Sequence, residues 1–166
     1  GLQPESQWAL LRESQADAMC LPHTGMVSNI DLGDAKDIHP KTKREVGRRM
    51  AAIALNQTYG KHKTAFTAPV YERYTVEADG IHIHFATPQG SEPLVIEDNL
   101  PGFILAGANR QWHVAKAKVL SGNEVVVSCQ GVHFPVAVRY GWADNPTCTL
   151  RTQSGLHVAP FRTDRW

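Results

Sequence analysis

Several features that would narrow the function of this chain quickly are scarce or missing. Its 166 residues include only three cysteines, Cys20, Cys129 and Cys148. Their spacing fits no zinc site and an odd number cannot all pair, which leaves two readings open: small buried thiols, or a Cys129–Cys148 disulfide in an oxidising compartment. No apolar run approaches the roughly 20 residues that a membrane-spanning helix needs. Charge of one sign is not in excess either. Lys and Arg total 17 against 16 Asp and Glu, a net charge of +1 that gives no case for a nucleic-acid or membrane partner. There is no internal repeat and no low-complexity segment, and the opening GLQPESQWALL lacks the layout of a signal peptide, which leaves the compartment open. A nucleophile elbow is missing too. Ser6, Ser14, Ser28, Ser91, Ser121, Ser128 and Ser154 all stand outside a Gly-x-Ser-x-Gly pattern.

What is present is a globular composition, 42% hydrophobic and 20% charged, in a chain long enough to bury a core. Its character changes near residue 62. In PESQWALLRESQADAM, Trp8, Leu11, Gln15, Ala18 and Met19 share one helical stripe, with Pro4 placed for the first turn. GMVSNIDL, residues 25 to 32, reads as a strand. PKTKREVGRRMAAIALNQTYG then carries Val46, Met50, Ile53 and Ala54 at helical spacing and stops at Gly60. This second helix starts either with Pro40 as its first residue or with Thr42-x-x-Glu45 as a capping box.

Beyond residue 62 strand patterns take over. VYERYTVEADGIHIHFA reads as a hairpin turning at Asp79-Gly80, with Ile81, Ile83 and Phe85 on one face. GFILAGA, WHVAKAKVL, EVVVSC and FPVAVRYGW follow, with Ser121-Gly122-Asn123 as a tight connection. Short, well-punctuated strands indicate an antiparallel sandwich or small barrel. The first part is different. One strand between two helices cannot form a sheet and would leave both of its edges unpaired. Residues 1–62 therefore read as the last strand–helix piece of a larger α/β layer, and residues 63–166 as a β-rich domain.

The chemistry is suggested by Asp37-Ile38-His39-Pro40, which sets an acid and an imidazole two positions apart just before a helix. A serine esterase needs a histidine to take the hydroxyl proton and a carboxylate to hold the imidazole tautomer. A helix N-terminus also disfavours the cationic ring and helps keep it a neutral base. The same spacing equally describes a structural turn in which Asp caps and His packs.

The run IDLGDAKDIHPKTKREVGRRMA closely resembles the final catalytic block of sialate O-acetylesterase-like proteins of the SGNH hydrolase group. QWALLRESQ resembles the helix before that block, HTGMVSNIDLGD the strand leading into it, and VRYGWADNPTCTL with PFRTDRW the C-terminal segment of the family. The resemblance spans nearly the whole chain. It implies an α/β fold, the last strand–helix portion of a flavodoxin-like layer plus a small antiparallel β-sandwich or β-rich domain. It also implies hydrolysis of O-acetyl esters on carbohydrates without a cofactor, in a secreted, periplasmic or lysosome-like compartment. His39 is then the general base. Many SGNH enzymes place the acid three residues before the histidine, where this chain has Lys36; Asp37 takes that role here, with Asp34 as the alternative. The nucleophilic serine of the family, in a Gly-Asp-Ser or Gly-Gln-Ser context, is not among these residues. The expected partner is the N-terminal portion of the same enzyme, carrying that serine, and the chain alone should be inactive.

Other candidates carry ordinary readings alongside functional ones. His82 and His84 share a strand face as metal ligands would, but no third ligand is evident and solvent-facing residues are the simpler expectation, so no metal site is assigned. Lys41, Lys43, Arg44, Arg48 and Arg49 form a basic cluster, interrupted by Glu45, that reads as a solvated helix surface rather than a phosphate site. Trp112, Tyr140 and Trp142 are either core aromatics or a platform for a sugar ring. A non-catalytic carbohydrate-binding β-module carrying a remnant of an α/β layer is the competing functional reading.

Overall fold

The computed structural model describes residues 2–39, 41–61 and 64–166. Two antiparallel sheets face each other across the main core. The first begins with the hairpin of β1 (Val70–Glu77) and β2 (Gly80–Ala86). Its turn is Ala78-Asp79, one residue earlier than the sequence suggested, because Glu77 pairs with Gly80. Gly80 sits at φ +150°, and a Cβ there would meet the Val127 carbonyl oxygen at 2.4 Å, so a side chain has no room.

After β3 (Phe103–Gly107) and β4 (Trp112–Val114), the chain returns to the first sheet through β5 (Lys116–Ser121) and β6 (Glu124–Ser128). It then adds β7 (Pro135–Tyr140) and β8 (Phe161–Arg162) to the second. The strand orders are β1-β2-β6-β5 and β4-β3-β7-β8. Alternation decides which side chains meet: Ile81, Ile83, Phe85, Val119, Val125 and Val127 point inward from one sheet. Phe103, Leu105, Val138, Tyr140 and Phe161 answer from the other, which makes the β-rich part a sandwich.

All five residues of β3 are buried, against the alternation seen in β5 and β6. The outer face of this sheet is covered as well. Helix α1 (Gln7–Asp17) lies there, with Ala9 packed against Ile104 and Trp142. Ser6 caps the helix by accepting from the Ala9 amide at 3.1 Å, and its hydroxyl donates to Asp144 at 2.7 Å. Pro4 is therefore not in the first turn. It precedes the cap, and its carbonyl accepts from Arg139 Nη1 at 2.6 Å and from Trp142 Nε1 at 3.0 Å. Glu13 receives both nitrogens of Arg162 at 2.9 and 2.8 Å, and Arg12 donates to the Ala143 carbonyl. Polar clasps rather than the apolar stripe seat this helix. Trp8, Leu11 and Met19, which the periodicity marked for burial, are exposed.

Residues 25–32 form no strand. Residues 25–29 are irregular and 30–32 turn, with the Leu32 amide donating to the Asn29 carbonyl at 3.0 Å, because among the described residues no neighbouring strand pairs with them. Gly25 lies so close to helix α2 (Lys43–Gln57) that a Cβ would meet Ile53 Cγ2 at 2.5 Å. The expected capping box is not made. Thr42 Oγ1 donates to the Leu32 carbonyl at 3.2 Å, and Glu45 turns toward Arg48 and Arg49 instead. Pro40 lies outside the described residues. Gly60 does end the turn after α2, at φ +64°. The residues that α2 buries are Arg49 and Asn56, whereas Met50 and Ala54 of the apolar stripe are exposed.

Arg139 joins these pieces. It is 2% exposed and grips Asp164 through Nε and Nη2 at 2.9 and 2.6 Å, while also donating to the carbonyls of Pro4 and Trp166. Removing it leaves a buried carboxylate without a partner. Arg139→Ala should lower the unfolding free energy by about 3–5 kcal/mol in urea titrations. The Arg139→Ala/Asp164→Asn double variant should lose much less in total than the sum of the two single changes.

Candidate active site

The loop between Asp31 and His39 is shaped by its own carboxylates. Asp34 Oδ1 accepts from the Lys36 amide at 2.9 Å, and the Asp37 amide reaches the Asp34 carbonyl at 3.4 Å, closing a tight turn. The chain bends again at Ile38. Asp37 Oδ1 accepts from the His39 amide at 2.9 Å and lies 3.0 Å from His39 Nδ1. An extended segment would hold these side chains roughly 6–7 Å apart, so the bend is what brings them together.

This arrangement assigns the ring nitrogens. Asp37 is acceptor-only when ionised, so Nδ1 carries the proton and Nε2 is left with its lone pair. The side chain of His39 is 77% exposed, and Nε2 has no partner among the described residues. An imidazole oriented by a carboxylate at Nδ1 and free at Nε2 can accept a proton from an approaching hydroxyl. Of the two sequence candidates for the carboxylate, Asp37 contacts the ring, and Asp34 is engaged with backbone on the other side of the turn. Helix α2 begins only at Lys43, so His39 stands a full turn before the helix end.

The loop is anchored from behind. Arg49 is 4% exposed and holds Asp31 with two bonds of 2.8 and 2.7 Å, the Ser28 carbonyl at 2.6 Å and Glu45 at 3.0 Å. Burial raises the proton affinity of Asp31. The hydrogen bonds from Arg49, with the charges of His157 and Arg49, outweigh it and hold the carboxyl below its ordinary value. His157 Nε2 approaches Asp31 at 3.6 Å, and burial keeps this histidine below its ordinary pKa. No feature of the sequence marks Asp31 and Arg49 as partners. Arg49 reads there as one more cation on a solvated helix face, and only the packing of residues 25–32 over α2 buries it.

The remaining candidates separate. Tyr140 is fully buried, packs on Phe103 at a tilt of 36° with centroids 4.5 Å apart, and accepts from the Leu150 amide through its hydroxyl. Trp142 is 4% exposed, between the guanidinium groups of Arg139 and Arg162. Neither presents a face to a sugar. Trp112 packs on Trp166 and under Arg139. The basic cluster is divided, since Arg48 and Arg49 are taken up by Glu45 and Asp31. All three cysteines are free, so no Cys129–Cys148 bridge forms. Cys148 is buried, which pushes its thiol up to about 11, whereas Cys20 is exposed and departs from the buried-thiol reading. His82 is not solvent-facing. It lies buried among Glu77, Asp79 and Glu124, while His84 turns instead to Thr75 at 3.1 Å.

A cleft of about 350 Å³ opens between α1 and residues 26–30, lined by Trp8, Leu11, Met26, Val27, Asn145 and Pro160 among others. His39 and Asp37 lie outside its walls. Among the described residues, the amides of residues 24–28 make no backbone–backbone hydrogen bond.

The fold and site together describe an antiparallel sandwich clasped to a helix–loop–helix that presents an acid–imidazole pair. Comparison with known proteins gives a specific neighbour. The chain is similar, over its whole length, to the crystal structure of a novel carbohydrate acetylesterase from Xanthomonas citri, at 38% sequence identity and a TM-score of 0.90. It spans 38% of the length of that protein. No family model and no curated protein matches it.

The anchor gives a pH prediction. Bonds from Arg48, and then Arg49, hold the Glu45 carboxyl down to about 2, from an ordinary value of 4.5. Because the folded-state value lies below the unfolded one, the stabilisation is complete above pH 4.5 and is lost as pH falls through about 2. A side-chain 13C NMR titration should place the Glu45 midpoint near 2, and Arg48→Ala should move it up toward 4.5.

Proposed function

We propose that this chain forms part of a serine esterase that removes O-acetyl groups from carbohydrates, of the sialate O-acetylesterase-like kind within the SGNH group. His39 is its general base and Asp37 the carboxylate that orients it. The observation that carries the reading is the 3.0 Å contact between Asp37 Oδ1 and His39 Nδ1, with Nε2 left open. The full-length similarity to a carbohydrate acetylesterase supports it. In this reading residues 1–62 are the last strand–helix portion of the SGNH layer, and residues 63–166 are its β-rich companion.

The nucleophile and oxyanion donors come from polypeptide outside these 166 residues. Two features favour a docking face for that polypeptide on residues 1–62. The backbone of residues 24–28 offers amides without backbone partners, the kind of edge to which a further strand adds. Trp8 and Leu11 line the cleft beside it, and Met50 and Tyr59 of the same 62 residues are exposed as well, large apolar side chains unusual for a surface that stays in water.

In the assembled enzyme the serine hydroxyl gives its proton to His39 Nε2 as its oxygen attacks the acetyl carbonyl carbon. The imidazolium, steadied by Asp37, then returns the proton to the departing sugar oxygen. Water repeats the sequence on the acetyl-enzyme and releases acetate. Of the three aromatics weighed as a sugar platform for the binding-module alternative, Tyr140 and Trp142 are buried and half-buried Trp112 packs on Trp166 and Arg139.

The test is reconstitution. The 166 residues alone should release no acetate from an acetylated sugar, and they should do so when combined with the serine-bearing portion. In that assembly His39→Ala should lower turnover by on the order of 10⁴-fold or more. Activity within tenfold of the parent, with folding intact, would remove His39 from the mechanism. Asp37→Asn should likewise cost on the order of 10²–10⁴-fold, and Asp34→Asn only a small factor. The reverse pattern would move the carboxylate to Asp34.

A further inference from the structure

We propose that Glu77, Asp79 and His82 form a binding site for a divalent first-row transition metal, remote in function from the ester chemistry, with Glu124 as the hydrogen-bond partner that orients the histidine. The proposal rests on four groups that topology brings to one point on the outer face of the first sheet. Glu77 ends β1, Asp79 lies in the hairpin turn, His82 stands on β2, and Glu124 opens β6 beside it. One oxygen from each of Glu77 and Asp79 and a ring nitrogen of His82 lie within 4.8 Å of one another.

The ring has two nitrogens and each has a defined task. Nδ1 lies 2.8 Å from Glu124 Oε1. Nε2 lies 2.9 Å from Asp79 Oδ1 and 3.7 Å from Glu77 Oε2. An imidazole fixed at one nitrogen by a carboxylate, with the other aimed at further oxygen donors, is the usual arrangement of a metal-bound histidine. His82 is 8% exposed at its side chain, so its rotamer is set by packing. Glu77 and Asp79 are 52% and 65% exposed, so their oxygens can adjust by a few tenths of an ångström and leave remaining positions to water. Ligand distances of about 2.0–2.2 Å to zinc call for donor atoms roughly 3–4 Å apart, and the two carboxylate oxygens lie 2.9 and 3.7 Å from Nε2.

Charge favours the same conclusion. Three carboxylates converge on one imidazole, which has at most two N–H groups to give. Asp79 and Glu124 use both, and Glu77 Oε2 faces Nε2 without a proton of its own to accept. Glu77 Oε1 takes a bond from Thr75 at 3.2 Å. Among the described residues, no Lys or Arg forms an ion pair with Glu77, Asp79 or Glu124. A dipositive ion neutralises this surplus where a single proton on His82 does not. One imidazole with two carboxylates suits zinc, manganese, cobalt or nickel over a soft thiophilic ion. Bound there, it would tie β1, the turn and β2 together, with β6 behind.

The experiment is a titration of the chelator-treated chain with Co²⁺ at neutral pH, followed by visible absorption and by thermal unfolding with Zn²⁺. One equivalent of Co²⁺ should give d–d bands that Zn²⁺ abolishes, and Zn²⁺ should raise the unfolding temperature. Both carboxylate ligands are exposed, so Glu77→Gln/Asp79→Asn should fold as the parent does and lose at least fivefold in Co²⁺ affinity. Glu124→Gln should weaken binding by about 10–100-fold, as loss of an orienting partner does. Absence of the bands, or a loss smaller than fivefold in the double variant, overturns the proposal and leaves His82 as a protonated cation among its carboxylates.

Discussion

The structure depends on one buried guanidinium. Arg139 sits near the C-terminal end of β7, and four hydrogen bonds leave it, two to Asp164 and one each to the carbonyls of Pro4 and Trp166. Its two faces are covered by Trp112 and Trp142, at 4.3 and 5.0 Å. A buried ion pair of this kind is costly to desolvate, and its net worth against an apolar replacement is small. Its value lies in direction. A planar fork satisfied by one carboxylate and two named carbonyls admits a single placement of the segment before α1, which an apolar patch of equal area would not. The Arg-Tyr-x-Trp-Ala-x-Asn-Pro run is accounted for in these terms. Arg139 and Trp142 hold Pro4, Asp144 holds Ser6, and Tyr140 fills the core beneath.

The two helices are seated by the same logic and leave the same residue. α1 is fastened by Ser6, Arg12 and Glu13, and α2 by Arg49. In both, polar groups are buried against the rest of the chain, while Trp8, Leu11, Met50 and Leu55 are exposed and Val46 and Ile53 only half-buried. That inverts the ordinary amphipathic pattern, in which the apolar stripe is what meets the core. The cleft that holds Trp8 and Leu11 also runs along Met26, Val27 and Ser28, whose amides make no backbone–backbone hydrogen bond among the described residues. The loop bearing His39 and Asp37 is thus held rigidly from one side, by Arg49 through Asp31, and left open on the other.

Legibility in the sequence followed the physics of each part. The sandwich could be read because strand alternation and turn residues act locally: Ile81, Ile83 and Phe85 are buried where their period of two places them. The turn was displaced by one residue because Gly80 is needed for close approach to β6 rather than for the turn itself. The helices were legible as helices, but their buried faces were not. Trp8, Leu11 and Met50 carry the stripe, yet Ala9, Arg49 and Asn56 are buried, because distant polar partners decide the docking. The strand at residues 25–32 failed for a related reason. A strand is defined by its neighbour, and among the described residues none pairs with this segment. The Asp37–His39 contact was readable as a proximity, but the bend at Ile38 that completes it depends on the turn held by Asp34. Tyr140 and Trp142 illustrate the converse. Their places in a specific sequence run say nothing about exposure, and both serve the interior.

The clasp between the two ends of the chain also sets an order on synthesis. Pro4 bonds a residue 135 positions away, and Glu13 one 149 positions away. Closing loops of that length costs on the order of 4–5 kcal/mol in chain entropy before any bond offsets it. The sandwich pairs mostly neighbouring strands and can form early, but Arg162, Asp164 and Trp166 are synthesised after every strand from β1 to β7. Until they emerge, α1 lacks its Glu13–Arg162 bonds, and Trp8 and Leu11 travel as a loosely held, sticky segment beside the folding β-strands. Such a segment is an early target for chaperones and an early source of misassembly, and a stalled or shortened product would keep it loose permanently.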